Sequence, residues 1–496
     1  IVSAKSFGTS WQWDAFLYAF MFPNLFRRIV GEGGLTSAFI PVYNDISEKQ
    51  GKNEALRFTN ITISFLACAL LVFILLVEGI LTLLMRIPNL SATVSLTLSL
   101  MRVTFPYLWF VAFYALGMGV LNSHRHFLSP ALAPIILDII WITAVFLAPI
   151  MTGPDYVPQV HFLCYALLLS GVLYIACQWI PLKRIGFKLQ WIWDVGYPGL
   201  QRVWKLLLPV IMTFAVVQIN ITVDMTLGMM IGPGANSSLW YGNRLMQFPL
   251  GVFAIAMGTA LLPMLAQQVA GGQKEASRKT LSFALRSTFF IIIPSSVGLI
   301  VLAKPIIQML FERGEFDAVS TTRSAAVLIG YSIGLFAYAG QKIIASGFYA
   351  AHDSKTPMRT SVVALISNLG FNLILMIPFK EAGLALGTSI SGIIQLIQLI
   401  YFYPKKVDEF PFREVLKSFL RILAASLAMA VVCYFSWELL RGFLNGASTK
   451  IRLIQVLGSI AIAALSYLGL CLICRVPEAQ EALNWIKNRK MNARKA

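Results

Sequence analysis

Charge is what this sequence has least of. Only 12% of its 496 residues are Asp, Glu, Lys or Arg, about half the share found in soluble domains, while 57% are hydrophobic. That balance excludes a soluble globular protein. Period-two alternation is equally lacking: runs such as Phe65 to Val77 and Ile454 to Cys474 are apolar all round, which excludes a transmembrane barrel. There is no GxxxxGK[ST] phosphate loop and no HExxH zinc motif, and the four histidines (His124, His126, His161, His352) lack ligand spacing. Gly330-Tyr331-Ser332-Ile333-Gly334 matches the GxSxG elbow of hydrolases, but that motif needs a strand-turn-helix setting and here it falls inside an apolar helical stretch. The six cysteines all lie in apolar segments, so Cys471 and Cys474 read as packing residues despite their CxxC spacing. These absences argue against an enzyme, a resident cofactor or an ATP-driven pump.

What is present is a succession of apolar stretches, each long enough to cross a hydrocarbon core of about 30 Å as a helix. The chain opens inside such a stretch at Ile1 with no secretory signal before it, so the first helix is expected to be truncated. After that stub at 1–9, thirteen full spans are expected near 12–46, 57–85, 92–121, 130–150, 159–181, 203–232, 237–270, 281–303, 321–351, 357–378, 382–403, 414–440 and 453–474. The fold class is an all-α polytopic membrane protein. A formal charge of +18 would suggest nucleic acid in a soluble chain, but here Lys and Arg crowd into alternate connections and the tail. The opposite connections hold only Arg86, Lys304, Arg313, Arg323, Lys380, Arg441, Lys450 and Arg452. This is an orientation signal that places the C-terminus in the cytoplasm.

Internal repetition sets the architecture. Phe22-Pro23 recurs as Phe248-Pro249, Pro41 as Pro263, Glu54-Ala55-x-Arg57 as Glu275-Ala276-x-Arg278, and Ser129-Pro130 as Thr356-Pro357. The spacing is 221–227 residues throughout, so two six-helix lobes enter from the same side as parallel repeats. The expected division is a first lobe at 1–182, a second at 183–411, two extra helices at 412–475 and a basic tail at 476–496. The tail (Lys487, Arg489, Lys490, Arg494, Lys495) suits either an anionic inner leaflet or simple solvation.

Ions inside spans are costly and face a partner or water. The richest stretch carries Asp14, Asn24, Arg27, Arg28 and Glu32 around Pro23 and a run of glycines that should loosen the helix. Arg27 and Arg28 point about 100° apart, so Arg27 is expected to face a central cavity and Arg28 to pair with Glu32 one turn on. Snorkelling or structural pairing is the alternative. In the second half, Asn243, Arg244 and Gln247 precede Pro249, with an arginine and an amide one turn apart. An arginine fork matches phosphate oxygens bidentately, and two forks from opposite lobes would suit a diphosphate. A second constellation, Asp224, Asn368, Asn372 and Thr388, offers oxygen donors with one formal charge. It suits either a weakly held Na⁺ or an interhelical hydrogen-bond network. Asp138 and Glu78 are further intramembrane acids with no evident role.

At these residues the chain resembles the MurJ (MviN) family of lipid II flippases, within the superfamily that includes MATE drug exporters. The matching blocks are Trp13-Asp14-Ala-Phe, Pro23-Asn24-Leu-Phe-Arg27-Arg28 through Gly31-Glu32-Gly33, Ala38-Phe39-Ile-Pro41, Thr104-Phe-Pro106-Tyr107, Pro130-Ala-Leu-Ala-Pro134, Arg244-Leu-Met-Gln-Phe-Pro249 and Gly347-Phe-Tyr-Ala-Ala. The resemblance implies fourteen spans, lipid II as substrate, the bacterial cytoplasmic membrane as location and alternating access between two lobes. It also implies a cationic cavity at Arg27 and Arg244 with Asp14 and Glu32 as acidic partners, and Lys5 as the remnant of a basic face on the first helix. Where family members often carry acids, this chain has Asn243 and Gln247, so charge is balanced differently there. Asp224, Asn368, Asn372 and Thr388 resemble a sodium site of some members, with Asn372 where an acid can stand; coupling would be to Na⁺ or to the membrane potential. A MATE-type or oligosaccharide-lipid exporter is the nearest rival, although a basic cavity argues against cationic drugs. A non-transporting scaffold that recruits cell-wall synthesis enzymes is the rival from another class, and its short loops offer little surface. A monomer in contact with membrane lipids, with no nucleic-acid partner, completes the expectation.

Overall fold

The structure, a computed structural model, describes residues 1–27, 34–444, 446, 448–474 and 476–480. Among these every regular element is helical. Packing divides the chain into two compact units, one of Ser6–Met225 with Val2 and one of Thr226–Ala496 with Ile1 and Ser3–Lys5. In chain order come α1 (Val2–Phe7), α2 (Trp11–Phe26), α3 (Gly34–Gln50), α4 (Lys52–Leu84), α5 (Ala92–Thr104), α6 (Tyr107–Ser123), α7 (Leu128–Ala131), α8 (Ala133–Thr152), α9 (Tyr156–Arg184) and α10 (Pro198–Ile231). Then follow α11 (Ala235–Pro249), a π-helical segment at Leu250–Ile255, α12 (Ala256–Ala270), α13 (Lys274–Val301), α14 (Ala303–Phe311), α15 (Ala318–Ile333), α16 (Leu335–Ala350), α17 (Lys355–Lys406), α18 (Phe412–Phe443) and α19 (Thr449–Ile473).

Nine helices of the described residues are long and apolar enough to cross a membrane, and α15 with α16, bent by 40°, makes a tenth. The backbone of α17 leaves helical geometry at Lys380 (φ 50°, ψ −132°), so this one element carries two spans. Leu75, Leu76, Ile150, Ile374 and Ile377 stand exposed on the outside, as a lipid-facing shell requires. Inside the first unit Phe39, Phe58, Leu116 and Val120 pack α3, α4 and α6 together with Val203 and Leu207 of α10. The second unit is built on Phe289, Ile293, Ile343 and Leu399, and α18 and α19 join this core through Ile422, Val456 and Cys471. Tyr467 also donates to the Phe290 carbonyl at 2.8 Å. Just after α19, the buried Glu478 takes Arg286 of α13 at 3.1 Å and Ser418 of α18 at 2.9 Å.

The repeat read from proline loops is visible in backbone geometry. After α6, Arg125 turns left-handed at φ 59°; after α16, His352 does so at φ 60°. In each case the next amide closes back on the helix, His126 to Leu121 and Asp353 to Phe348, both at 2.9 Å, which is how a left-handed residue satisfies the last helical carbonyls. Glu54 pairs with Arg57 at 3.3 Å and Glu275 with Arg278 at 3.4 Å. Each pair also fastens the segment before a later helix: Tyr197 donates to Glu54 at 3.1 Å, and Arg278 to Glu409 at 3.1 Å.

Two expectations are refined here. All cysteines are free; Cys164, Cys433 and Cys471 are packed, but Cys474 is exposed at the end of α19. The GxSxG match closes α15, with Ser332 fully buried and Gly334 at the bend before α16, so it forms no strand-to-helix elbow. Gly334 allows a close approach: a Cβ there would lie 2.7 Å from the Ser389 Cα. Gly334→Leu should therefore lower the midpoint of thermal unfolding in detergent, at an overpacking cost of about 1–3 kcal/mol. Gly298→Leu, where nothing lies within 4 Å, should leave it unchanged.

Candidate functional site

Helix α2 starts on the Ser10 hydroxyl, which accepts the Trp13 amide at 3.3 Å. Asp14 in its first turn is 3% exposed, at the helix end where the dipole favours an anion. Trp13, Phe16 and Phe20 form a stacked row, and Trp141 of α8 packs against all three at 5.3–6.3 Å. Four residues after Pro23 the helix is capped by Arg27, whose Nε and Nη2 both donate to the Asn24 Oδ1 at 3.3 and 3.1 Å. A neutral amide acceptor orients the fork. The charge of Arg27 acts on the hydroxyls of Tyr107, Tyr114 and Tyr174. Tyr174 lies 5.2 Å from Tyr114 between ring centroids, and Tyr114 donates to the Pro130 carbonyl at 2.6 Å.

Sequence reasoning missed these tyrosines because in an apolar helix a tyrosine reads as core. Thr104-Phe-Pro106-Tyr107 was a visible hint, since Pro106 separates α5 from α6 beside it. Glu78 has a plain structural role, accepting Arg102 Nε at 3.0 Å. Arg28 and Glu32 lie outside the described residues.

In the second unit, Arg244 of α11 lies over the Trp240 ring, 5.0 Å from its centroid. Gln247 does not accompany it. Its Nε2 donates instead to the Asn243 Oδ1, so the two amides hold each other. The proline after them has the effect expected of a helix-breaking position: the six residues following Pro249 are π-helical, a geometry that frees carbonyls and is common at functional sites. Lys5 is exposed, and its backbone carbonyl accepts the Glu315 amide at 3.0 Å. Gly314, with φ +59°, packs against it so closely that a Cβ would meet the Lys5 oxygen at 2.3 Å.

The polar group of α17 forms a chain of hydrogen bonds. Asn372 Nδ2 donates to Asn368 Oδ1 at 3.0 Å, Asn368 Nδ2 to Thr388 Oγ1 at 3.1 Å, and Thr388 in turn to the Leu384 carbonyl at 2.9 Å. Both asparagines are fully buried. Asp224 belongs to the other packing unit. Among the described residues no three His, Cys, Asp or Glu side chains gather as a metal site.

The family model for lipid II flippase MurJ matches residues 3–453. The chain belongs to the MurJ family. It is 31% identical to the probable lipid II flippase MurJ of Rhizobium tropici over 472 residues, covering 93% of this chain and 88% of that one. To the Haemophilus influenzae protein of the same description it is 32% identical over 467 residues, with 88% and 89% covered. A solved structure of lipid II flippase MurJ in an inward closed conformation superposes with a TM-score of 0.77 at 30% identity, over 96% of this chain and 95% of that one. An inward-facing MATE multidrug transporter of the MOP superfamily shares the fold, with a TM-score of 0.67 at 16% identity over 85% and 93%. The PNxxR element and the arginine of α11 are thus parts of a MurJ transporter scaffold with the MATE-like arrangement of helices. Asn368→Ala should lower the thermal midpoint by removing the acceptor of the buried Asn372 Nδ2, at about 1–3 kcal/mol. Asn243→Ala with Gln247→Ala, at exposed Gln247, should change stability by less than about 0.5 kcal/mol.

Proposed function

We propose that this chain moves lipid II, an undecaprenyl diphosphate carrying the peptidoglycan disaccharide-pentapeptide, from the inner to the outer leaflet of the bacterial cytoplasmic membrane by alternating access. The observation that carries the reading is Arg27. In a MurJ family chain, a guanidinium within a membrane-spanning stretch has its fork aimed by the Asn24 amide, both Nε and Nη2 donating to one oxygen. Arg244, held over an aromatic face, is the second unit's arginine in this reading. Planar forks of this kind bind a diphosphate bidentately, and a desolvated surrounding strengthens each bond.

In this reading the diphosphate enters from the cytoplasmic side and is taken by Arg27 and Arg244. The polyprenyl tail remains in lipid, along the face of α18 and α19. No covalent step is involved. An inside-negative potential acts on the basic, empty carrier with about 2.3 kcal/mol per elementary charge per 100 mV, so it favours the return to the cytoplasm-facing state without ATP. Na⁺ at Asp224, Asn368, Asn372 and Thr388 is the alternative coupling route; transport that is equal in Na⁺ and K⁺ media argues for the potential alone. The C-terminus is cytoplasmic, and contacts with cell-wall synthesis enzymes would use the same face.

The test is outer-leaflet lipid II in cells depleted of their own flippase and expressing this protein. The unaltered protein should restore it. Arg27→Ala and Arg244→Ala should each reduce it about 10–100-fold while still inserting, the loss expected for charged hydrogen bonds. Arg27→Lys should recover only part, since an ammonium lacks the fork. Undiminished transport in the Arg27→Ala Arg244→Ala double variant contradicts the assignment.

A further inference from the structure

Within the first unit, α4, α6, α9 and the irregular segment 187–193 enclose a cavity of about 480 Å³, inside the range of about 300–1,000 Å³ typical of ligand sites. Its walls are the rings of Trp109, Phe113, Trp179, Phe187 and Trp191. The segment that closes it is built in rather than loosely draped. Asn60 of α4 donates to the Lys188 carbonyl at 2.9 Å and accepts the Gln190 amide at 3.1 Å, and Ser64 accepts the Ile192 amide at 3.0 Å.

One group on this apolar wall is unsatisfied. Gln178 is 1% exposed, and among the described residues its Nε2 has no acceptor. Its Oε1 is packed against Gly117, where a Cβ would lie 2.3 Å away. A buried donor without a partner costs free energy unless a ligand oxygen supplies one. At the rim, Leu189 and Trp191 are 57% and 65% exposed, as apolar groups meeting lipid would be. Lys183, stacked over Trp179 at 5.3 Å, Arg184 and Lys188 are exposed there. None of the three makes an ion pair among the described residues, and Asp194 farther along the segment pairs with none of them. Thr59 to Ala67 lie about 10–22 Å along α4 from Lys52, so the cavity sits at the depth of one leaflet.

We propose that this cavity holds one acyl chain of an anionic glycerophospholipid from the leaflet facing the basic connections, with an ester carbonyl accepting Gln178 Nε2 and the phosphate resting among Lys183, Arg184 and Lys188. The apolar volume selects a chain, the lone amide an oxygen near its polar end, and the uncompensated cations an anionic headgroup. The site is independent of the transport reading and uses none of its residues.

The test is photocrosslinking in vesicles containing the full chain and trace phosphatidylglycerol or phosphatidylcholine with a diazirine in one acyl chain, mapped by peptide. The phosphatidylglycerol probe should label peptides bearing Phe113, Ile175 and Trp191 about fivefold more than the phosphatidylcholine probe, the preference a small cation cluster gives. Ala67→Trp, which fills the cavity, should abolish this labelling. The triple change Lys183→Gln, Arg184→Gln, Lys188→Gln should reduce it to the phosphatidylcholine level, and this variant alters only exposed side chains, so it decides the matter if Ala67→Trp fails to insert. Labelling that survives both changes, equal labelling by the two probes, or displacement by undecaprenyl phosphate but not by unlabelled phosphatidylglycerol overturns the proposal.

Discussion

The constraint on which everything else depends is that a backbone amide in hydrocarbon has no water to bond to. Each span must satisfy itself as a helix, and a break is tolerated only where protein or water replaces the lost bonds. The interruptions in this chain are therefore informative. The second unit has one at Pro249 to Ile255, where the helix turns π, and another at Gly334, where α15 and α16 bend. The first has one at Pro106, between α5 and α6, and its α2 carries Pro23 four residues before Arg27. These positions fall at matching places of a repeated sequence, and two of them adjoin the arginines that carry the functional reading.

The same constraint explains how the charges are arranged. Ions at the ends of spans are paired and partly wet, as with Asp45 between Lys49 and Arg202. Arg27 and Arg244 are held in another manner, one by an amide oxygen and one by an aromatic face. Such supports fix the direction in which each guanidinium presents its planar fork.

Much of this was legible in the sequence. Span positions follow from hydropathy, and the repeat from prolines and Glu-x-x-Arg spacing, because both reflect backbone rules that tertiary context cannot override. The Asn368, Asn372 and Thr388 grouping was also visible, since two residues four apart share a helical face; the structure joins them in a hydrogen-bonded chain. Other features were hidden. The tyrosines around Arg27 come from α6 and α9, which only folding brings together, and an apolar helix gives no sign of which tyrosine faces a cation. The pairing of Gln247 with Asn243 instead of its standing beside Arg244 depends on rotamers. The cavity beside Gln178 is closed by residues 187–193, which in sequence read only as a basic connection.

The central claim is that this chain itself carries lipid II across a bilayer. It is tested most directly with the purified protein in vesicles loaded with labelled lipid II on the side bearing the basic connections, under an imposed potential negative on that side, by following the label's exposure to an impermeant reagent outside. The account predicts exposure that depends on the protein, proceeds without ATP and slows when the potential is collapsed. Lipid II that stays inaccessible while a correctly inserted protein is present would contradict it.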